Sequence, residues 1–268
     1  MKTRIYFSVI AMFIAISFPF LSLGQKEIES QNNGWIWYIG NHRINERWGV
    51  HTEYGWRRND MLEHWMQSLI RVAGDYYLKS GPVISTGYAF VDTYEYGVQP
   101  FNYRFIEHRI FQQFASTQQF GRFYTNNRFR LEQRWLENKA SIDGGELNRD
   151  QNDPFVFRNR VRYRYMVNIP LTRSKMENNT LFLSVANEIF VNSGREIKLN
   201  ALDQNRLYAA IGWRIDKDKN IQIGYLNQYI IKSDARKAER NHTLQIGIVW
   251  GIDFRKKKVA TDAIPERK

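Results

Sequence analysis

Two short stretches carry most of the chemistry the sequence offers. Asn126–Asn138 reads NNRFRLEQRWLEN, and Phe157–Val167 reads FRNRVRYRYMV. Arg128, Arg130, Glu132 and Arg134 fall two residues apart, as do Arg158, Arg160, Arg162 and Arg164. A guanidinium is a planar fork of donors that grips carboxylates and phosphates through paired hydrogen bonds. A row of them suits a nucleic-acid surface, a salt-bridged solvent face or the inside of a barrel. Spacing of two places each row on one face of a strand. Like charges facing one another across strands repel, so acids are expected close by. Glu132 lies within the first row, Glu107 shares a face with Arg109, and Glu188 faces the same way.

Counted over all strand segments, the inward set is Arg57, Arg71, Arg109, Arg128, Arg130, Arg134, Arg158, Arg160, Arg162, Arg164, Arg206 and Arg214. Against them stand Glu53, Asp75, Glu107, Glu132, Glu188 and Asp253, so the surplus is positive. Two readings follow. One is an interlocked Arg–Glu network that fills the interior; the other is a basic track for an anionic solute. The network weighs somewhat more.

Other chemistry is sparse. There are no cysteines, which excludes a disulfide frame, a thiolate metal site and a thiol nucleophile. The histidines are His42, His51, His64, His108 and His242. Ser68 lies four residues after His64 and a regular strand would put both on one face, the nearest approach to a hydrolase pair. The sequence offers no metal-ligand cluster, phosphate-cradling glycine loop or nucleotide motif, and no cofactor is expected.

The elements that must position these residues are strands. Alternation of period two runs through Trp35–Asn41, Trp48–Arg57, Trp65–Leu78, Val83–Tyr96, Phe101–Ala115 and Arg122–Leu136, then Phe155–Ile169, Leu181–Val191, Asn205–Ile215, Ile221–Ile231 and His242–Phe254. Several exceed the usual strand length and suit a bilayer crossing. Connections alternate between short turns and longer loops, the habit of outer-membrane barrels. Lysines fall in turns, loops and tails while arginines fall in strands, which argues for an enclosed, crowded face and against a nucleic-acid surface using both cations. Trp35, Trp37, Trp48, Trp56, Trp65 and Trp135 are placed near strand ends, as in interfacial girdles.

The first residues read as a secretory signal peptide over 1–24: Lys2 and Arg4, the apolar run Ile5–Phe20, then Ser22-Leu23-Gly24. The remaining organisation is a lead-in over 25–34, a barrel over 35–254 and a basic periplasmic tail over 255–268.

The segments EHRIFQQF (107–114), RFRLEQRW (128–135), DQNRLYAAIGWRI (203–215) and the alternating last strand are similar to an uncharacterised outer-membrane barrel family of Bacteroidetes-type bacteria, domain-of-unknown-function family 2490. The resemblance spans roughly Trp35–Phe254 and implies fold and location without activity; no catalytic residue carries over. One departure is the basic tail, RKKKVATDAIPERK, after Phe254, where membrane barrels commonly end on an aromatic.

The expectation is therefore an all-β, single antiparallel transmembrane barrel with an Arg-rich interior. Twelve strands are favoured, with ten next, since the eleven segments are odd in number and bacterial barrels are even. Both termini would be periplasmic in a Gram-negative cell. Function reads as a structural or narrow porin-like channel for small anionic solutes such as acidic sugars, or alternatively a lipid-modifying enzyme. Partners would be outer-membrane lipid and the outer-membrane assembly machinery, with no nucleic acid.

Overall fold

The computed structural model describes residues 26–97, 103–137, 154–194, 197 and 199–255. The expected signal peptide, the loop over 143–153 and the tail beyond Arg255 lie outside the described residues. The rest is one closed sheet. Its strands are β1 (Glu27–Arg43), β2 (Trp48–Asn59), β3 (His64–Tyr77), β4 (Val83–Thr93), β5 (Phe105–Phe120), β6 (Phe123–Glu137), β7 (Phe155–Pro170), β8 (Thr180–Ser193), β9 (Leu202–Arg214), β10 (Lys219–Ile231), β11 (Lys237–Trp250) and the two-residue β12 (Ile252–Asp253). No α-helix occurs among the described residues; Asp60–Leu62 forms a single 3-10 turn.

Each of the strands β1 to β11 pairs with its sequence neighbours, and β1 closes the sheet onto β11 from Glu27↔Lys237 to Ile39↔Val249. Closure leaves no free edge, so every long strand has hydrogen-bonded partners on both sides.

Two expectations are corrected here. The strand count becomes eleven long strands, with β12 a short continuation beyond Gly251 that pairs with His42 and Arg43. The barrel is also not wholly antiparallel, because the β1–β11 seam is parallel. The two corrections have one cause: in an up-and-down chain an odd number of strands makes the first and last run the same way. The start of β1 and the end of β11 consequently lie at opposite rims. β1 begins at the rim carrying connections 60–63, 94–104, 138–154, 194–201 and 232–236. β11 ends at the rim carrying 44–47, 78–82, 121–122, 171–179 and 215–218. These are called below the long-loop rim and the short-turn rim; 171–179 is the exception on the latter.

The lead-in expected over 25–34 is largely strand, since β1 starts at Glu27. That moves Trp35 to mid-strand, where it faces inward and is almost wholly buried, rather than into an interfacial girdle. Trp37, two residues on, also lines the interior. Its ring lies over Gly55, where a Cβ would come within 2.8 Å of it. Lysine reaches strand ends, at Lys219 and Lys237, but not strand interiors among the described residues.

The faces follow the alternation. Outward positions expose large apolar side chains: Ile70 is 56% exposed, Ile223 53% and Phe129 51%. Inward positions bury charge, with Glu132 at 1%, Arg130 at 2% and Glu107 at 2% exposure. A soluble protein sorts its residues the other way.

Candidate lumen site

The two Arg rows lie side by side on β6 and β7, as their spacing predicts. Register sets Arg128 opposite Arg164, Arg130 opposite Arg162 and Arg134 opposite Arg158; only Glu132 opposite Arg160 pairs unlike charges. Three like-charged rungs would repel, and the neighbouring strands supply the relief. Glu188 of β8 accepts from Arg128 Nη2 at 2.7 Å and from Arg162 Nη2 at 2.8 Å. Glu132 accepts from Arg162 Nη1 at 2.7 Å and from Arg160 at 2.7 and 3.0 Å. Arg160 also donates to Asp203 of β9 at 2.9 Å. On β5, Glu107 receives Arg109 at 2.6 and 2.8 Å and Arg134 at 2.5 and 3.1 Å. Glu53 of β2 pairs with Arg71 of β3.

Aromatic faces carry part of the remaining charge. The Phe111 ring lies between Arg71 (5.3 Å) and Arg130 (4.8 Å). Phe190 sits under Arg160 (5.2 Å), Arg162 (4.4 Å) and Arg206 (4.6 Å). Such contacts gain strength away from water.

The fit is incomplete on one side. Arg130 donates to Gln113 at 2.6 and 2.9 Å, with the carboxylates of Glu53 and Glu132 both 4.0 Å away. Arg164 bonds Asn126 at 3.0 Å, and Arg57 bonds Gln67 at 2.8 Å. Arg206 finds an acceptor at 3.0 Å when the Gln228 amide is turned to present its oxygen. Arg214 stands apart, at the short-turn rim, donating to the Lys217 carbonyl at 3.4 Å. Arg158 lines the cavity described next.

The network fills one part of the interior and leaves another open. A cavity of about 1000 Å³ runs from the long-loop rim at Ser233 and Asp234 down to Gln222, Gly247 and Val249. Its basic wall includes Arg57, Arg128, Arg158, Arg162, Arg164 and Arg206. Its lining also includes Met66, Ala186, Tyr208, Leu226, Trp37, Tyr96 and Met166, which pack with the buried Trp35 and Ala210 in one apolar cluster. A separate hollow of about 100 Å³ opens at the short-turn rim, lined by Phe182, Arg214 and Gln222 among others. Gln222 borders both. Phe182 stands beside it almost fully buried, its ring over Gly212 in the space a Cβ would take.

At the same rim, Asp253 accepts from Arg255 at 2.6 and 2.8 Å and from Lys217 at 3.1 Å. These hydrogen bonds, Arg255's first, hold its carboxyl well below the usual carboxylate range.

Sequence reasoning missed Asp203, which lies at the start of β9, and Gln113, although Gln113 shares the i, i+2 face of Glu107 and Arg109. It also paired His64 with Ser68. The structure separates them: Met66 is an extra residue where the β2–β3 register jumps between Arg57 and Arg58, so the two fall on opposite faces.

Comparison with protein-family models matches residues 32–240 to one described as "Protein of unknown function (DUF2490)". No curated protein matches the chain, and no solved structure does.

Proposed function

The chain belongs to the DUF2490 family of proteins of unknown function, and on that footing we propose that it is an outer-membrane β-barrel whose partly filled lumen receives small anionic solutes. The observation that carries the membrane reading is the inversion of faces. Ile70, Phe129, Leu207, Ile211 and Ile223 are exposed outside while Arg130, Glu107 and Glu132 are buried inside. An apolar band of that extent suits lipid and is a liability in water.

Polar side chains on the outer face support the same reading, because they are closed onto one another. Gln133 bonds Gln112 at 3.2 Å, Tyr163 bonds Asn127 at 2.9 Å and Asn187 bonds Asn205 at 3.2 Å. In hydrocarbon no water is available to do this.

The anion preference rests on charge left over after pairing. Glu53, Glu107, Glu132, Glu188 and Asp203 are engaged by Arg71, Arg109, Arg134, Arg160, Arg162 and Arg128. Arg57, Arg164 and Arg206 face the cavity with amide partners instead. The network is thus mainly structural, and its surplus gives the cavity its sign. On this reading the barrel's partners are outer-membrane lipid and the outer-membrane assembly machinery.

Fractionation and planar-bilayer recording test it. The protein is expected to follow detergent-extracted outer membrane and to give small or absent conductance with anion preference where current flows. A water-soluble protein, or a cation-selective pore, overturns the reading.

A further inference from the structure

The cavity has one place where charge, ring and open space converge. Arg57 Cζ stands 4.2 Å over the Trp35 ring, and Arg206 Cζ stands 5.6 Å from the same ring. Two guanidiniums, from β2 and β9, therefore converge on one indole of β1. Arg57 is 6% exposed and its Nε has no hydrogen-bond partner. No carboxylate oxygen among the described residues lies within ion-pair distance of either guanidinium, although Glu188 is engaged nearby by Arg128 and Arg162. Leaving a buried cation without a counter-charge is costly. A bound anion would remove that cost.

What surrounds this pair decides the class of anion. Beside the two cations, past their amide partners Gln67 and Gln228, the wall carries an apolar patch: Leu226, Met66, Ala186 and the Tyr208 ring pack with Trp35 in one cluster. A cavity of about 1000 Å³ has the size of an organic-ligand site. An inorganic phosphate would satisfy the guanidiniums and leave the apolar wall wet. A sugar acid seated there would set hydroxyls against Leu226, Met66 and Ala186, which cannot bond them, and so fits this patch less well.

We propose that the lumen holds a seat for an amphipathic organic acid, with its carboxylate or other anionic head between Arg57 and Arg206 and its apolar body against Tyr208, Leu226 and Met66. This rests on the reading of the lumen as an anion chamber and narrows it, replacing acidic sugars with acids that carry an aryl or short acyl body. Trp35 serves as the floor on which the two guanidiniums converge.

Isothermal titration of the full mature chain in non-ionic detergent micelles, with empty micelles as the blank, tests the seat. The probes are naphthoate, its neutral analogue naphthamide, glucuronate and inorganic phosphate. Naphthoate is expected to bind one site at least about tenfold more tightly than each of the others, because the head forms charge-assisted hydrogen bonds that an amide forms weakly. Arg57→Gln and Arg206→Gln should each weaken naphthoate about tenfold. Leu226→Asn should weaken naphthoate while leaving phosphate unchanged.

Equal affinity for naphthoate and naphthamide overturns the seat as mere partitioning. Equal affinity for phosphate or glucuronate overturns the amphipathic class. Should either Arg variant fail to fold, the acid-to-amide ratio of the unaltered protein decides alone. Loss of the seat with anion-selective conductance intact refutes only this inference, whereas cation selectivity refutes the chamber itself.

Discussion

Replacing Glu132 by Gln removes one charge from the centre of the network without changing the shape of the side chain. Glu132 is 1% exposed and accepts three hydrogen bonds, two from Arg160 and one from Arg162. Hydrogen bonds to charged groups contribute about 1.5–3 kcal/mol each, but a Gln oxygen still accepts some of them. Arg162 also keeps Glu188 and Arg160 keeps Asp203. Breaking a buried pair by removing one partner costs about 3–5 kcal/mol. The retained contacts place this substitution near the lower end, about 3 kcal/mol. The same pair in a water-filled pore would contribute about 0–1 kcal/mol. Urea unfolding of the barrel refolded into lipid vesicles, followed by tryptophan fluorescence, separates the two outcomes. Adding Arg160→Gln should restore at least about 1 kcal/mol, since it removes a cation that the first change left short of a partner. A loss below about 1 kcal/mol for Glu132→Gln, with no recovery in the double variant, would refute the view that this wall is locked and dry.

Phe182→Ala should join the large cavity to the hollow at the short-turn rim, and single-channel recording should show a higher conductance than the unaltered barrel. Gly212→Val should overlap the Phe182 ring and lower stability by about 1–3 kcal/mol, seen as a lower temperature for the shift between folded and unfolded gel bands. Ile223→Arg, on the outer apolar face, should cost about 2–4 kcal/mol in vesicles, whereas Ser30→Arg near the long-loop rim should be close to neutral. Epitope tags placed before Glu27 and after Arg255 should differ in accessibility on intact cells, because the two strand ends lie at opposite rims; equal accessibility would contradict the parallel seam.

The faces of the strands were legible because a buried-charge interior and an apolar exterior give clean alternation, and Arg128–Arg134 and Arg158–Arg164 show it without interruption. Adjacency of those rows followed from consecutive strands pairing in a meander. What escaped the sequence has physical causes. EIESQNNG, 27–34, is too polar to read as a membrane strand, yet it pairs with β11 along its whole length, and with β2 from Asn33 on, near a rim where outward polarity is tolerated. Missing it hid both the true start of β1 and the inward position of Trp35. The extra residue at Met66 leaves no mark in composition, since a bulge is a matter of register. Asp203 became a partner only because β9 starts beside Arg160, a distance of 43 residues along the chain that no local pattern encodes.

The parallel seam also sets an order of events in time. Every other pairing of long strands joins sequence neighbours, but the seam joins residues 27–39 to 237–249, with β12 extending it at 252–253. Until β11 is in place, the backbone donors and acceptors on one side of β1 have no mate, and contacts of such long sequence separation form late. Closure is therefore expected as the last step of folding, and a chain cut before β11 would leave the β1 edge unpaired. Under the proposed outer-membrane reading, an assembly partner would have to hold the first strand while the remaining ten are added.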